Sequence, residues 1–148
     1  MVMEKLNDTF FYNLEKSVKT YRQYFQNQLK ANGFDITLDQ WLILNTIIEN
    51  PNISQNEIAE KVFKDKASVA RIIELLVQNG FLTRSIHPTN RRMFQLSITE
   101  KGNETIEKLS GLVQVFRKNA VLGISPDVLK ETQSIMKTII ANCKNATD

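Results

Sequence analysis

Residues 58–84 read IAEKVFKDKASVARIIELLVQNGFLTR, and this stretch decides the fold. Its apolar side chains first recur at steps of three and four and then, after Gly80, at steps of two. A period near 3.6 is typical of an amphipathic helix, and a period of two is typical of a strand with one buried face. The stretch therefore predicts two short helices followed directly by a strand.

Two segments near this stretch have the pattern that begins helices. Residues 37–40 read TLDQ and residues 54–57 read SQNE, so each has a hydroxyl side chain three positions before a Gln or Glu. In this capping box the hydroxyl oxygen accepts a hydrogen bond from the later backbone amide. Asp65 is likewise suited to cap a helix over residues 66–79. Three short helices at this spacing predict a helix-turn-helix.

The sequence after Gly80 predicts a hairpin. Residues 81–86 and 93–98 alternate apolar and polar side chains, and Pro88 and Asn90 lie in the turn between them. A hairpin that directly follows a helix-turn-helix forms a wing. The expected fold class is therefore mainly α with a minor α+β component, a winged helix-turn-helix.

Long amphipathic helices are expected on both sides of this winged unit. The apolar pattern predicts one over residues 6–31, ended by Asn32-Gly33, and two more that begin after Thr99 and at Ser125-Pro126. The side chains expected to face inward in the last helix are Leu129, Met136, Ile139 and Cys143.

The apolar stripes of these end helices predict a dimer. A helical face longer than one neighbour in the same chain can cover is suited to an interface between two copies. We expect residues 1–34 and 100–148 to form a helical dimerisation region and residues 35–99 to form the winged helix-turn-helix domain. The alternative is a helical bundle within a single chain.

Composition argues against several classes of protein. The 148 residues include one cysteine, Cys143, and one histidine, His87, so neither an internal disulfide nor a Cys- or His-based metal site is expected. A glycine-rich phosphate loop and a catalytic constellation are also absent from the sequence, so we expect no cofactor and no enzyme. No apolar run approaches the roughly 18 residues that span a bilayer, and the N-terminus lacks a hydrophobic signal region. We expect a cytoplasmic protein without membrane contact.

Positive charge is concentrated in the middle of the chain. Residues 61–92 contain seven basic and two acidic side chains, whereas residues 1–60 contain five basic and eight acidic ones. Such a patch on a chain of net charge +3 indicates a polyanionic partner, although a solvated surface is the plainer explanation. For a winged helix-turn-helix, the matching polyanion is double-stranded DNA.

The winged unit offers two candidate DNA contacts. The helix over residues 66–79 presents small and basic side chains that suit the major groove, and Arg91 and Arg92 at the edge of the turn suit phosphate and the adjacent minor groove. The residues expected to contact DNA are Ser54, Gln55, Asn56, Lys64, Lys66, Ala67, Ser68, Ala70, Arg71, Arg84, His87, Asn90, Arg91 and Arg92. Helix capping is the alternative for Ser54, Gln55 and Asn56, and a solvated pair is the alternative for the two arginines.

The quoted stretch, together with NRRMFQLSITEKG over residues 90–102, resembles the MarR family of bacterial transcription regulators. The similarity runs without a gap from Ile58 to Arg84, resumes in the wing, and extends to the flanking helices. It implies a homodimer that binds a pseudo-palindromic operator near its own gene. It also implies that repression is relieved when a small aromatic or phenolic effector enters a cleft between the dimerisation and DNA-binding lobes.

The sequence departs from the family pattern at three points. Asn90 replaces the aspartate of the wing, and it can hydrogen-bond a guanidinium without neutralising it. Phe63 stands where the turn before the recognition helix often has glycine, and we expect it to add contact with the core. The peroxide-sensing branch has a cysteine in its first helix, and here Cys143 near the other end is expected to act as a small hydrophobe.

Two questions stay open at this level. The aromatic residues that could line an effector pocket are Tyr12, Tyr21, Phe25, Trp41 and Phe116, although aromatics at helical spacing are usually core. The alternative function is a helical dimer that uses its winged domain to bind another protein without specific DNA binding. Seven cations against two aromatic residues in positions 61–92 favour DNA.

Overall fold

The structure, a computed structural model, describes residues 3–92 and 94–147 and is mainly helical. The elements are a 3₁₀ turn over Leu6–Asp8, helices α1 (Phe10–Ala31), α2 (Leu38–Glu49), α3 (Gln55–Lys61) and α4 (Lys66–Gln78), strands β1 (Leu82–Ile86) and β2 (Phe94–Ile98), and helices α5 (Glu100–Ala120) and α6 (Pro126–Thr147). This order confirms the predicted winged helix-turn-helix between long end helices. None of the helices in residues 3–92 and 94–147 combines the length and the apolar character that a membrane span requires.

The predicted helix starts are confirmed by their capping hydrogen bonds. The backbone amide of Gln40 donates to Thr37 Oγ1 at 3.1 Å, and the Gln40 side chain accepts from the Thr37 amide at 3.0 Å. Ser54 Oγ accepts from the amide of Glu57 at 3.2 Å. The amide of Ser68 donates to the carboxylate of Asp65 at 2.8 Å. These local bonds satisfy amide groups that have no partner inside a helix.

Helix α1 is shorter at its start than predicted. The segment predicted as helix from residue 6 forms a 3₁₀ turn, and the regular helix begins at Phe10 after the extended residue Thr9. The predicted end is confirmed, since Asn32 caps the helix and Gly33 follows with a φ of 78°. A left-handed residue after the cap is the usual way for a helix to end.

The two strands form an antiparallel hairpin that is buried only at its base. The register pairs Leu82 with Ile98 and Ile86 with Phe94, so these four side chains share one face. Leu82 is 1% exposed, whereas Ile86 and Phe94 are 65% and 56% exposed. Phe81, predicted to begin the first strand, lies just before it, and Met93, predicted to begin the second, lies outside the described residues. The wing therefore projects beyond the core with an apolar face.

An aromatic cluster forms the centre of the core. The ring of Phe25 lies 5.3 Å from that of Trp41 and 5.3 Å from that of Phe116, measured between centroids. The first pair is tilted and the second is edge-to-face, and rings at such distances pack favourably between helices α1, α2 and α5. From α4, the side chains of Val69, Ile73 and Leu76 are fully buried, which confirms the predicted apolar face of that helix.

The chain divides into two compact units, with the boundary between Phe116 and Arg117. In the second unit no described side chain of α6 is buried. The inward placement predicted for Met136 and Cys143 is therefore wrong for a single chain, because both are exposed. Periodicity finds the apolar face of a helix, but it does not say whether the same chain covers that face. The predicted division into dimerisation and DNA-binding regions concerns function and stays a prediction.

A glycine joins the wing to helix α5. A Cβ atom on Gly102 would lie 2.5 Å from the carbonyl oxygen of Phe81 and 2.7 Å from the side chain of Ile98. The same carbonyl accepts the backbone amide of Thr99 at 3.1 Å, and Thr99 Oγ1 donates to the carbonyl of Gly80 at 2.5 Å. The first turn of α5 is thus pressed against the segment that connects α4 to β1.

Replacing Gly102 with alanine should destabilise the protein because the added methyl group collides with backbone as well as with a side chain. The expected loss in the free energy of unfolding is about 1–3 kcal/mol, which is typical of overpacked sites. Gly111 is a matched control in the same helix, with nothing within 4 Å of its added Cβ. Gly111→Ala should stabilise the helix by about 0.5–1 kcal/mol. Urea denaturation of both variants measures this, and equal effects would contradict the proposed packing.

Candidate nucleic-acid interface

Helix α4 has one buried face and one face that is open to solvent. Lys66, Ala67, Ala70 and Arg71 are exposed, opposite the buried apolar face. Ser68, also predicted to contact DNA, is half-buried, and its hydroxyl donates to the carboxylate of Asp65 at 2.8 Å. The exposed side chains combine two cations with two small residues, so a ligand can approach the helix backbone closely.

The N-cap residue of α4, Asp65, is held in its ionised form by hydrogen bonds. The backbone amide of Ser68 donates to Asp65, and this hydrogen bond is the main cause that holds the pKa of the Asp65 carboxyl below its ordinary value of 3.8. The hydroxyl of Ser68 adds a second bond to the ionised form. Helix α4 therefore begins with a carboxylate that stays charged at neutral pH.

The turn of the wing is organised by its own side chains. Asn90 accepts the backbone amide of Arg92 at 3.1 Å, so the described contact of this asparagine is to backbone. The ring Nδ1 of His87 accepts the amide of Thr89 at 3.2 Å, which gives His87 a role in the turn. Arg91 and Arg92 are both exposed. The tip is thus shaped by local hydrogen bonds that leave two guanidinium groups at the surface.

The turn end of the wing and the start of α3 share one groove. It has a volume of about 410 Å³, and the residues that line it are Ser54, Gln55, Asn56, Glu57, Arg92 and Phe94. Four of these six were predicted as DNA contacts, and the fold brings the three at the start of α3 together with Arg92. Glu57 and Phe94 were not foreseen. Glu57 has a structural role here, since its carboxylate accepts a hydrogen bond from Ser54 Oγ at 3.0 Å.

Two predicted DNA contacts are engaged within the chain. Lys64 Nζ lies 3.2 Å from the carboxylate of Asp39, which also pairs with Arg22 of α1. Arg84 pairs with Glu74 at 3.2 Å, and its guanidinium lies over the ring of Phe94. Sequence spacing gave no signal for either pair, because each joins separate elements. Lys64 and Arg84 therefore fix the winged unit internally.

Phe63 does not add the core contact predicted for it. Its side chain is 93% exposed, and among the described residues it alone combines a positive φ, 60°, with a side chain other than that of glycine. The turn closes α3 through bonds from the amide of Phe63 to Glu60 and from that of Lys64 to Ala59. This helix ending needs a left-handed residue, which directs Cβ away from the helix. The conformation costs about 1–2 kcal/mol for a side chain that gains no burial.

The five aromatic residues proposed for an effector pocket are divided between two environments. Phe25, Trp41 and Phe116 are buried in the core cluster, at 1%, 8% and 2% exposure. Tyr12 and Tyr21 on α1 are half-buried. The alternative that these rings form the core therefore applies to the first three, whereas the two tyrosines retain surface that a ligand could contact.

These features define a class of protein. Helix α4 exposes two cations and two alanines. It follows the short helix α3 and is followed by a two-stranded wing with two exposed arginines. This arrangement is that of a winged helix-turn-helix DNA-binding domain. The MarR family model matches residues 36–94, which run from just before α2 to the first residue of β2. The winged helix-turn-helix region of this chain, residues 36–94, therefore belongs to the MarR family of transcriptional regulators.

Similar proteins support the same assignment. The chain is 26% identical over 134 residues to the HTH-type transcriptional regulator BilQ of Clostridium symbiosum, covering 90% of this chain and 92% of that protein. The structure of BpsR from Bordetella bronchiseptica, whose DNA binding is regulated by 6-hydroxynicotinic acid, superposes with a TM-score of 0.84 at 17% identity, covering 93% and 97%. A MarR variant from E. coli complexed with operator DNA superposes with a TM-score of 0.78 at 20% identity, covering 85% and 89%. These two structures show that the fold is MarR-like.

The cap at Asp65 should make stability depend on pH only in acid. Since its folded pKa is lowered, the ionised carboxylate stabilises the fold above about pH 4, and this contribution is lost as pH falls through the folded value. Asp65→Asn keeps a capping oxygen that does not titrate, so it is the matched control. Urea denaturation from about pH 7 to 2.5 should show a constant difference between the two proteins that shrinks below about pH 4. A difference independent of pH would contradict this role.

Proposed function

We propose that the protein is a homodimeric repressor that binds a pseudo-palindromic operator near its own gene and is released by a small aromatic effector. Helix α4 of each protomer enters the major groove, and each wing lies at the adjacent minor groove. The observation behind this proposal is the exposed face of α4, where Lys66 and Arg71 flank two alanines. On an ordinary solvated helix such a face usually mixes cations with acids, whereas the one acid within α4, Glu74, pairs with Arg84 of the wing.

In this proposal helix α4 is the recognition helix, which contacts the base pairs. Arg71 can donate two hydrogen bonds to the O6 and N7 acceptors of guanine, and the methyl groups of Ala67 and Ala70 permit contact with the thymine methyl. Lys66 at the helix start is placed for phosphate. Because Ser68 is already bonded to Asp65, it contributes to the shape of the helix start more than to base contact.

The wing supplies the backbone contact. Arg91 and Arg92 are exposed at its tip, and Arg92 also lines the groove shared with Ser54, Gln55 and Asn56. Guanidinium groups in a narrow minor groove are attracted by its concentrated negative potential. We assign Lys64 and Arg84 to internal ion pairs during this binding, with no direct base contact.

Dimerisation accounts for the uncovered face of α6. Val128, Ile135 and Ile140 are 50%, 47% and 54% exposed in a single chain, and contiguous exposed apolar surface usually marks an interface. A second copy would cover this surface and give the two-fold symmetry of a palindromic site. Light scattering should then give about twice 17.0 kDa, and a mass of one chain would contradict the dimer.

Release by a small aromatic molecule is supported by BpsR, whose DNA binding is regulated by 6-hydroxynicotinic acid. In this chain Tyr12 and Tyr21 are the proposed contacts, since they are half-buried on α1 while the other three aromatics fill the core. Small aromatic acids added to the labelled operator complex should lower its fluorescence anisotropy. If an acid acts through these residues, Tyr21→Ala should reduce its effect without changing operator affinity in its absence.

Arg71→Ala and Arg92→Ala should weaken operator binding in different ways. Loss of Arg71 should cost about 1–3 kcal/mol and relax the preference for one base pair, because it removes a base contact. Loss of Arg92 should weaken all sequences and lower the slope of log affinity against log salt concentration by about one. Fluorescence anisotropy on the upstream DNA and on an unrelated duplex, at several salt concentrations, measures both effects.

Lys16→Ala is the matched control for these variants. Lys16 is exposed on α1, outside the proposed interface, and its removal changes net charge by the same amount. It should bind operator like the native protein. A footprint of two half-sites about one helical turn apart would support the dimeric reader. Native affinity in both arginine variants would show that the assigned surface is wrong.

A further inference from the structure

The end of α3 accounts for the left-handed backbone of Phe63, but the exposed ring does not take part in the core. The backbone of this residue is left-handed, where glycine is favoured, and its ring is 93% exposed. The ring therefore neither stabilises the core nor suits the backbone that holds it. Residues in such conformations tend to occur at functional sites, where a contact made outside the fold offsets the strain.

The surroundings of Phe63 point towards DNA. The residue lies in the turn of the helix-turn-helix, three positions before α4 begins at Lys66. Lys61 and Lys66, on either side of the turn, are exposed, and no acidic side chain other than the capping Asp65 lies between them. Lys64 is half-buried and its ammonium group pairs with Asp39, whereas the Phe63 ring is at the surface of the turn.

We infer that the Phe63 ring contacts the operator at the edge of the groove that α4 enters. The inference rests on the proposed function and adds an apolar contact to it. The ring would pack on deoxyribose and on a thymine methyl group, which are the apolar surfaces that DNA offers there. Nearby cations bring the phosphates close, and the ring then loses its exposure to water.

The positive surroundings favour DNA over a protein partner. An exposed aromatic anchor for a protein is usually the centre of a patch depleted in charge. Here the turn lies between the exposed lysines at positions 61 and 66, with Asp65 bonded to Ser68. A surface of this kind is suited to a phosphate backbone, with the ring as its one large apolar element.

The test replaces Phe63 with glycine, which suits the left-handed backbone. Phe63→Gly should raise the urea midpoint of unfolding and yet weaken operator binding about three- to thirtyfold, because burial of part of a ring is lost. The salt slope should stay unchanged, since no phosphate contact is removed. Phe63→Leu, which keeps an apolar side chain, should lose less affinity than Phe63→Gly.

Lys66→Ala is the control that should change the salt dependence of binding. It should lower the salt slope by about one while leaving the apolar contact in place. If the native protein binds its upstream DNA and Phe63→Gly binds it equally well, the inference is overturned and the proposed function stands. If the native protein does not distinguish its upstream DNA from an unrelated duplex, both are overturned.

Discussion

The close contact between Gly102 and the carbonyl group of Phe81 sets the position of the wing. The end of α4, the residue immediately before β1 and the first turn of α5 meet at this contact. Lys101 adds to the junction, since its ammonium group donates to the carbonyl of Asn79 at 2.6 Å and lies over the ring of Phe81. Because the wing leaves this junction in a fixed direction, Arg92 reaches the groove beside α3. The spacing between recognition helix and wing, on which a two-groove DNA contact depends, is thus a property of backbone packing.

The basic side chains of residues 61–92 fall into two groups. Lys64 and Arg84 form ion pairs with Asp39 and Glu74, and in doing so they connect the helix-turn-helix to α2 and the wing to α4. The other four cations of the proposed interface, Lys66, Arg71, Arg91 and Arg92, are exposed. Partly exposed ion pairs contribute modestly to stability, so the value of the first pair lies in orienting the turn before α4. A count of positive charge along the sequence therefore overstates how many groups are available to DNA.

Local signals in the sequence predicted most of the fold. Helix starts at residues 37, 54, 65 and 125 were found because capping depends on side chains within three or four positions. Local sequence signals did not predict which side chains pack against elements that are distant along the chain. Phe63 was expected in the core because it is apolar, but a helix ending sets its backbone and turns it outward. Cys143 was expected inward from its periodicity, and it is exposed because α6 has no buried side chain in a single chain.

The sequence predicted which residues belong to the candidate site, but it did not predict which of them cap a helix, form internal ion pairs or stay exposed. The residues that the sequence groups as one DNA-binding set separate in space into capping groups, internal ion pairs and exposed contacts. Charge distribution explains how the exposed group would be presented to a polyanion: residues 1–60 are net acidic, whereas residues 61–92 have an excess of five positive charges. Such asymmetry orients a protein as it approaches DNA and raises the rate of encounter without selecting a sequence. In the proposed complex, sequence selection would come from the exposed side chains of α4, which are small or, in Arg71, able to form two hydrogen bonds to one base.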